Sequence, residues 1–303
     1  MIATLYNIPP MDAVYLYALA ANLSFAVGVQ FFTHYARKVS SLWVNCFKGC
    51  VAALLFAATV LLGGGFAGAP PGITALFFLS GMLGLGMADI FLIKSFSLMG
   101  PGRTMMLFGL QPFFIGALSY FVFGQTLDPR KAYAVGFFIV CLFIFSLESF
   151  RKEGHWNARA SLFALGGIIL DASGVVITRY CFDSSPALGT TEGNFYRAAG
   201  ALMLFLAVSA VKPFGFAGRM RALGRRNLFW ITAGSAAGTY LSLMFYLQAV
   251  RRADALAAVS GIAITGTLFA ALFEHLIERK RPSGYLLTAF AFFFAGMAFL
   301  FGY

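Results

Sequence analysis

The chain has 303 residues, of which 60% are hydrophobic, 17% aromatic and only 11% charged, and its mean hydropathy is +0.82. A soluble chain of this length carries about 25% charged residues to furnish a polar surface, so the composition excludes a soluble fold and specifies an integral membrane protein. The net charge of +11 does not mark a nucleic-acid binder. Its Lys and Arg residues lie between apolar runs, where they set topology and meet anionic lipid headgroups.

A membrane span takes about 20 residues. Apolar runs bounded by charge, Gly or Pro fall near 12–35, 42–62, 73–98, 104–123, 132–149, 159–181, 193–211, 228–250, 255–276 and 284–303. Each is long enough for a helix, and the period-two alternation of a membrane barrel is absent. The expected fold is therefore all-α, with ten transmembrane helices. The N-terminal stretch has no basic residue before its apolar run, so the first segment is expected to be retained rather than cleaved. The breaks are Gly63-Gly64-Gly65 with Pro70-Pro71, Gly100-Pro101-Gly102, Asp128-Pro129-Arg130, Arg151-Lys152-Glu153-Gly154 and Arg279-Lys280-Arg281-Pro282. The one long connection, 212–227, carries Lys212, Arg219, Arg221, Arg225 and Arg226. Basic residues concentrate in the odd-numbered connections, from Arg37 and Lys38 through Arg151 and Lys152 to Arg279, Lys280 and Arg281. The even-numbered ones hold only Arg130, Lys131, Arg251 and Arg252. The positive-inside rule then places the odd connections in the cytoplasm and both termini outside, in a bacterial inner membrane.

The second half of the chain repeats the first. Leu16 to Leu19, with Ala26, Gly28 and Val29, matches Leu162 to Leu165 with Ala172, Gly174 and Val175. Asn45-Cys46-Phe47-Lys48 matches Asn194-Phe195-Tyr196-Arg197, continuing through Ala52 with Ala201, Leu55 with Leu204 and Phe56 with Phe205. Phe123-Gly124-Gln125 and Phe273-Glu274 fall near the same offset. Five spans per half, an odd number, insert the second copy upside down. The expectation is a 5+5 inverted-topology repeat, 1–151 and 152–303, as in secondary transporters.

Ten spans in such a repeat resemble the drug/metabolite transporter superfamily, in particular its EamA-like members. The residues that carry the resemblance are Asn45-x-x-Lys48, its partner Asn194-x-x-Arg197, Gln111-Pro112 in the fourth span, and Phe273-Glu274 before the final span. The chain departs from the family pattern in having Gly124-Gln125 without an acidic residue, no Pro in the ninth span, and termini that read as external. The resemblance implies a cavity lined mainly by spans one, three, four, six, eight and nine, which favours Asp89, Asp171, Tyr240 and Gln248 as lining residues.

Ionisable residues deep in a span are the sharpest functional signal, because one at mid-bilayer costs about 2.5–3.5 kcal/mol on insertion scales. Asp171 lies at the middle of the sixth span and Asp89 just past the middle of the third. Each is a candidate proton-coupling carboxylate or partner for a substrate ammonium, against the alternative of a structural interhelical bond. Lys48 and Arg197 stand one to two turns into their spans. They either snorkel to the headgroups or anchor a carboxylate or phosphate at the two ends of a cavity. Lys94, nearer a span end, leans further toward snorkelling. Asn45, Gln111, Asn194, Tyr240 and Gln248 complete the candidate substrate-binding set, within a wider group of polar residues that includes Asn22, Thr239, Thr265 and Thr267. Pro112 is expected to kink the fourth span or free a carbonyl. Gly81, Gly84, Gly86, Gly234 and Gly238 are expected to let helices approach closely.

Cys46, Cys50, Cys141 and Cys181 read as apolar packing residues, and His34, His155 and His275 are too scattered for a metal site. No GxxxxGK[ST] motif occurs, and no loop gathers the His, Asp and Glu residues of a membrane enzyme. No cofactor is expected. These readings point to a secondary active transporter, not an enzyme. It would be a monomer or homodimer moving a small organic solute such as an amino acid by alternating access, with proton coupling or exchange. The alternative is a flippase whose Lys48 and Arg197 handle a lipid or polyprenyl-phosphate headgroup.

Overall fold

The computed structural model describes residues 10–125, 129–153, 157–262, 265–266, 268–269, 272–273 and 283–301. Asp128, His155, Thr267, Glu274, His275 and the basic run Arg279, Lys280 and Arg281 lie outside the described residues. The described chain is all helical. α1 (Pro10–Lys38) and α2 (Ser41–Leu62) are joined by a tight corner in which the Ser40 hydroxyl accepts from Trp43 N. α3 (Pro71–Gly81), a π-helical segment (Met82–Ala88) and α4 (Asp89–Met99) form one continuous rod. α5 (Pro101–Phe108), α6 (Gln111–Phe123), α7 (Pro129–Glu153), α8 (Ala158–Ser184) and α9 (Thr190–Val211) follow. α10 (Phe216–Ser235), a second π-helical segment (Ala236–Leu241) and α11 (Ser242–Arg252) make another rod, and α12 (Leu256–Gly261) and α13 (Gly284–Phe301) complete the described chain. Among the described residues, and with each rod counted as one, six helices are long and apolar enough to cross a membrane, and the shorter apolar ones include α6 and α13.

Two segments differ from the sequence reading. The run at 104–123 is not one kinked helix: α5 ends at Phe108 and α6 starts afresh at Gln111. Pro112 cannot donate to residue 108, and its ring crowds that carbonyl, so the chain turns through Gly109 and Leu110 and Pro112 takes the first turn of α6. The connection 212–227 is largely helical, since α10 begins at Phe216. Gly224, with φ 72° and ψ 161°, breaks that helix and turns a short basic piece into the span.

The packing is interleaved. α1 lies on α11 and the second π segment, α2 on α9, and α3 on α8 and α9. The first π segment lies on α8 and α9, α6 on α12, and α7 on α13. Glycines bring backbones together where the sequence predicts close approach. A Cβ at Gly238 would stand 2.4 Å from Gly28 Cα, and one at Gly81 would stand 1.9 Å from the Arg197 carbonyl oxygen. Leu54, Phe121 and Leu206 project from the perimeter, as expected of side chains that meet lipid.

The N-terminal end of α2 and that of α9 each hold a connection of the other half of the chain. Trp43 Nε1 donates to Phe216 O at 3.0 Å, and Arg219 Nη1 donates to Ser40 Oγ at 2.9 Å. At the opposite end Glu192, only 4% exposed, accepts from Ala67 N at 3.0 Å, Gly68 N at 2.9 Å and Tyr196 OH at 2.6 Å. An acceptor-only carboxylate is suited to two adjacent backbone donors, and burial strengthens both bonds.

Candidate functional site

A cavity of about 80 Å³ lies at the centre of this packing. Lys48 from α2, Asp89 from α4, Gln111 from α6 and Asp171 from α8 line it, with Asn22 of α1 and Thr239, Ser242 and Tyr246 of the last rod. Phe25, Leu85, Leu92 and Phe108 close the remaining wall. Four of the nine candidate residues therefore share one cavity. Both π segments reach it, through Leu85 and through Gly238 and Thr239.

The charges in the cavity are partnered in two different ways. Lys48 forms a buried ion pair with Asp89, and its Nζ also stands 5.5 Å from the centre of the Phe32 ring. A lysine this deep is tolerated because its charge is matched at once, and removing either partner would strand the other. Asp171 instead accepts from the neutral Gln111 amide through Oδ2. Its Oδ1 makes no hydrogen bond among the described residues and lies against Gly84.

Arg197 faces the same glycine. A Cβ on Gly84 would stand 3.2 Å from Arg197 Nη2 and 3.4 Å from Asp171 Oδ1, so the guanidinium and the carboxylate both close on this glycine. Arg197 is 1% exposed, and its Nε and Nη1 have no hydrogen-bond partner among the described residues. Buried guanidinium nitrogens without acceptors are costly. The Tyr246 hydroxyl and Thr239 Oγ1 are likewise buried, with no hydrogen-bond partner among the described residues.

Asn45 and Asn194 sit outside the cavity and brace its walls. Asn45 Nδ2 donates to Leu85 O at 3.0 Å and Gly86 O at 2.8 Å, carbonyls within the first π segment. A π turn disrupts the regular backbone ladder, and a side-chain amide satisfies what it leaves. Asn194 Nδ2 donates to Leu243 O at 2.9 Å, just beyond the second π segment. Three residues past the gripped carbonyls stand Asp89 in one rod and Tyr246 in the other. The cation above Asp89, Lys48, thus has a carboxylate, whereas Arg197 has a tyrosine at the corresponding place.

Tyr240 and Gln248 are drawn into packing: Tyr240 OH bonds Thr59 Oγ1 at 2.7 Å, and Gln248 Nε2 donates to Thr190 Oγ1 at 2.9 Å. Tyr246 and Glu192 are absent from the candidates that the sequence suggests. Thr239, Ser242 and Tyr246 follow an i, i+3, i+7 spacing that puts one polar stripe on an apolar helix, and this was the available signal. Glu192 is not singled out by the sequence because its two backbone partners lie more than a hundred residues away; only Tyr196 is local. Among the described residues no group of three or more His, Cys, Asp and Glu side chains is placed to hold a metal ion.

No curated protein matches the chain. Among solved structures, one crystal structure superposes with a TM-score of 0.73, covering 95% of this chain and 96% of its own at 15% identity. That likeness shows the fold alone. Residues 12–147, which run from α1 through most of α7, match the model of the EamA-like transporter family. That match covers just under half of the chain, and over it the chain is similar to the EamA-like transporters of the drug/metabolite transporter superfamily.

Proposed function

We propose that the protein is a secondary transporter that alternates access to the Lys48–Asp89–Gln111–Asp171 cavity and moves a small organic solute such as an amino acid. The observation that carries this reading is the cavity itself, a largely apolar space between helices drawn from both halves of the chain into which Lys48, Asp89, Gln111 and Asp171 bring charged and polar groups. The 5+5 reading, with halves at 1–151 and 152–303, is supported by the packing of α2 on α9, α6 on α12 and α7 on α13. It is supported also by the paired π segments and the paired asparagines that brace them. Such symmetry lets one half rock against the other around a fixed site.

The cavity volume suits a small polar group. At roughly 10–15 Å³ per water, about 80 Å³ holds the polar end of a small solute. Asp171 Oδ1 is free to take an ammonium or a proton, and exchange between the two is the simplest route to proton coupling. A flippase would present its cations to a headgroup at the bundle surface. Lys48 and Arg197 are 4% and 1% exposed, which favours the small solute.

The test is uptake into proteoliposomes under an imposed pH gradient, with the solute chosen by a thermal-shift screen of amino acids, nucleotide derivatives and quaternary amines at two pH values. Asp171→Asn is expected to abolish pH-driven accumulation while leaving solute exchange measurable. Unchanged pH-driven accumulation in that variant would remove Asp171 as the proton carrier. A wild-type protein that moves no solute in either mode would refute the transporter reading.

A further inference from the structure

At the basic end of the bundle a groove of about 400 Å³ runs between the α1–α2 corner, α4 and α8. It is separate from the central cavity and shares none of its lining residues. Its walls include Leu42, Ile90, Phe91 and Phe163, with Ser40 and Ser41 at the corner, and Lys94 is the only charged side chain among the described residues that line it. The Lys94 ammonium makes no hydrogen bond or ion pair with any described residue. Two more cations rest on the walls: Arg159 lies 5.9 Å from the centre of the Phe163 ring, and Arg219 bonds Ser40 Oγ. No acidic side chain lines the groove among the described residues.

We propose that this groove is a binding site for the headgroup of an anionic phospholipid, with Lys94 as the principal phosphate contact. Met87, Phe91, Lys94 and Leu98 follow an i, i+4, i+7, i+11 spacing, so Lys94 belongs to a stripe that is otherwise apolar. Met87, Leu98 and the neighbouring Leu162 are exposed on the perimeter, which leaves the groove continuous with the lipid-facing surface. A cation in that position meets phosphate at headgroup level, while the acyl chain follows the stripe inward along Phe91 and Met87. The apolar walls and sideways opening select a lipid over a soluble anion. A basic pocket between membrane helices is the arrangement that recognises anionic headgroups. The proposal does not rest on the transport reading, since it concerns the perimeter and not the central cavity.

The test is native mass spectrometry of the full chain in detergent, titrated with phosphatidylglycerol or phosphatidylcholine and compared with sn-glycerol 1-phosphate. Wild type is expected to retain a first phosphatidylglycerol and to gain thermal stability from it, with phosphatidylcholine much weaker. Lys94→Gln is expected to weaken that first lipid about fivefold, from about 1 kcal/mol per basic residue near the surface, and Lys94→Arg to retain it. Arg225→Gln, an exposed cation at the same end but outside the groove, is expected to leave it unchanged. The proposal is overturned if Arg225→Gln weakens the lipid as much as Lys94→Gln does. It is overturned equally if Lys94→Gln has no effect, or if glycerol phosphate alone fills the site at the same concentration. Should Lys94→Gln fail to fold, Arg159→Gln replaces it with the same expectation at smaller size.

Discussion

Gly81→Ala probes the interface that holds Arg197 in place. The added Cβ would stand 1.9 Å from the Arg197 carbonyl oxygen, a backbone atom that cannot rotate away. To restore ordinary contact at 3.4 Å, α3 and α9 must part by about 1.5 Å, and overpacking of this kind costs about 1–3 kcal/mol. The upper end of that range applies, because a gap of even about 1 Å forfeits a quarter to a half of each dispersion contact along the interface. Phe77, Ser80 and Ala201 are fully or almost fully buried nearby and lose such contacts. Gly200→Ala makes a similar demand, its Cβ falling 2.1 Å from Phe78 O across the same helix pair. One separation satisfies both, so the double variant should cost about as much as Gly81→Ala alone, giving a coupling of about 2–3 kcal/mol. Gly136→Ala is the control: an exposed helical glycine with nothing near its Cβ, expected to be neutral or to stabilise by up to about 1 kcal/mol. Denaturation in mixed micelles with increasing SDS, followed by tryptophan fluorescence, measures all four proteins. Strict additivity of the two glycine variants, or a Gly81→Ala protein as stable as wild type, would refute the close-approach argument.

Three further outcomes follow from the site geometry. Lys48→Met alone should destabilise by about 3–5 kcal/mol by stranding Asp89, while Lys48→Met with Asp89→Asn should recover most of that loss. A double variant as unstable as the sum of its singles, in the same titration, would show that the pair is not coupled. Tyr246→Phe should leave stability unchanged or slightly raised, because the hydroxyl has no partner, yet should raise the KM of a solute that bonds it. An unchanged KM removes Tyr246 from the site. Glu192→Gln should weaken two charge-assisted bonds to the 63–70 connection. Hydrogen exchange at Ala67 and Gly68 should then accelerate at least about tenfold, since bonds to a charged group contribute about 1.5–3 kcal/mol each, and equal rates would mean that Glu192 does not hold that connection.

Composition and hydropathy determined the class of this protein, because the free energy of placing a segment in a bilayer is nearly a sum over its own residues. The same local logic made Asp89, Asp171, Lys48 and Arg197 visible, since a charge within an apolar run is conspicuous without knowledge of its neighbours. Gln111-Pro112 announced a disturbance, and the structure resolved it as a full break rather than a kink. Which charge meets which was not legible. Lys48 and Arg197 occupy matching places in sequence, yet one is paired with Asp89 and the other stands with unfilled donors beside Asp171. That difference turns on Asp89 and Tyr246 standing at corresponding positions of two rods that contain π segments. A span whose inner and outer faces are equally apolar carries little record of which side meets lipid and which meets protein. The ion pair, the guanidinium beside Asp171 and the carboxylate that holds the 63–70 connection depend on contacts between distant segments, and only the tertiary structure decided them.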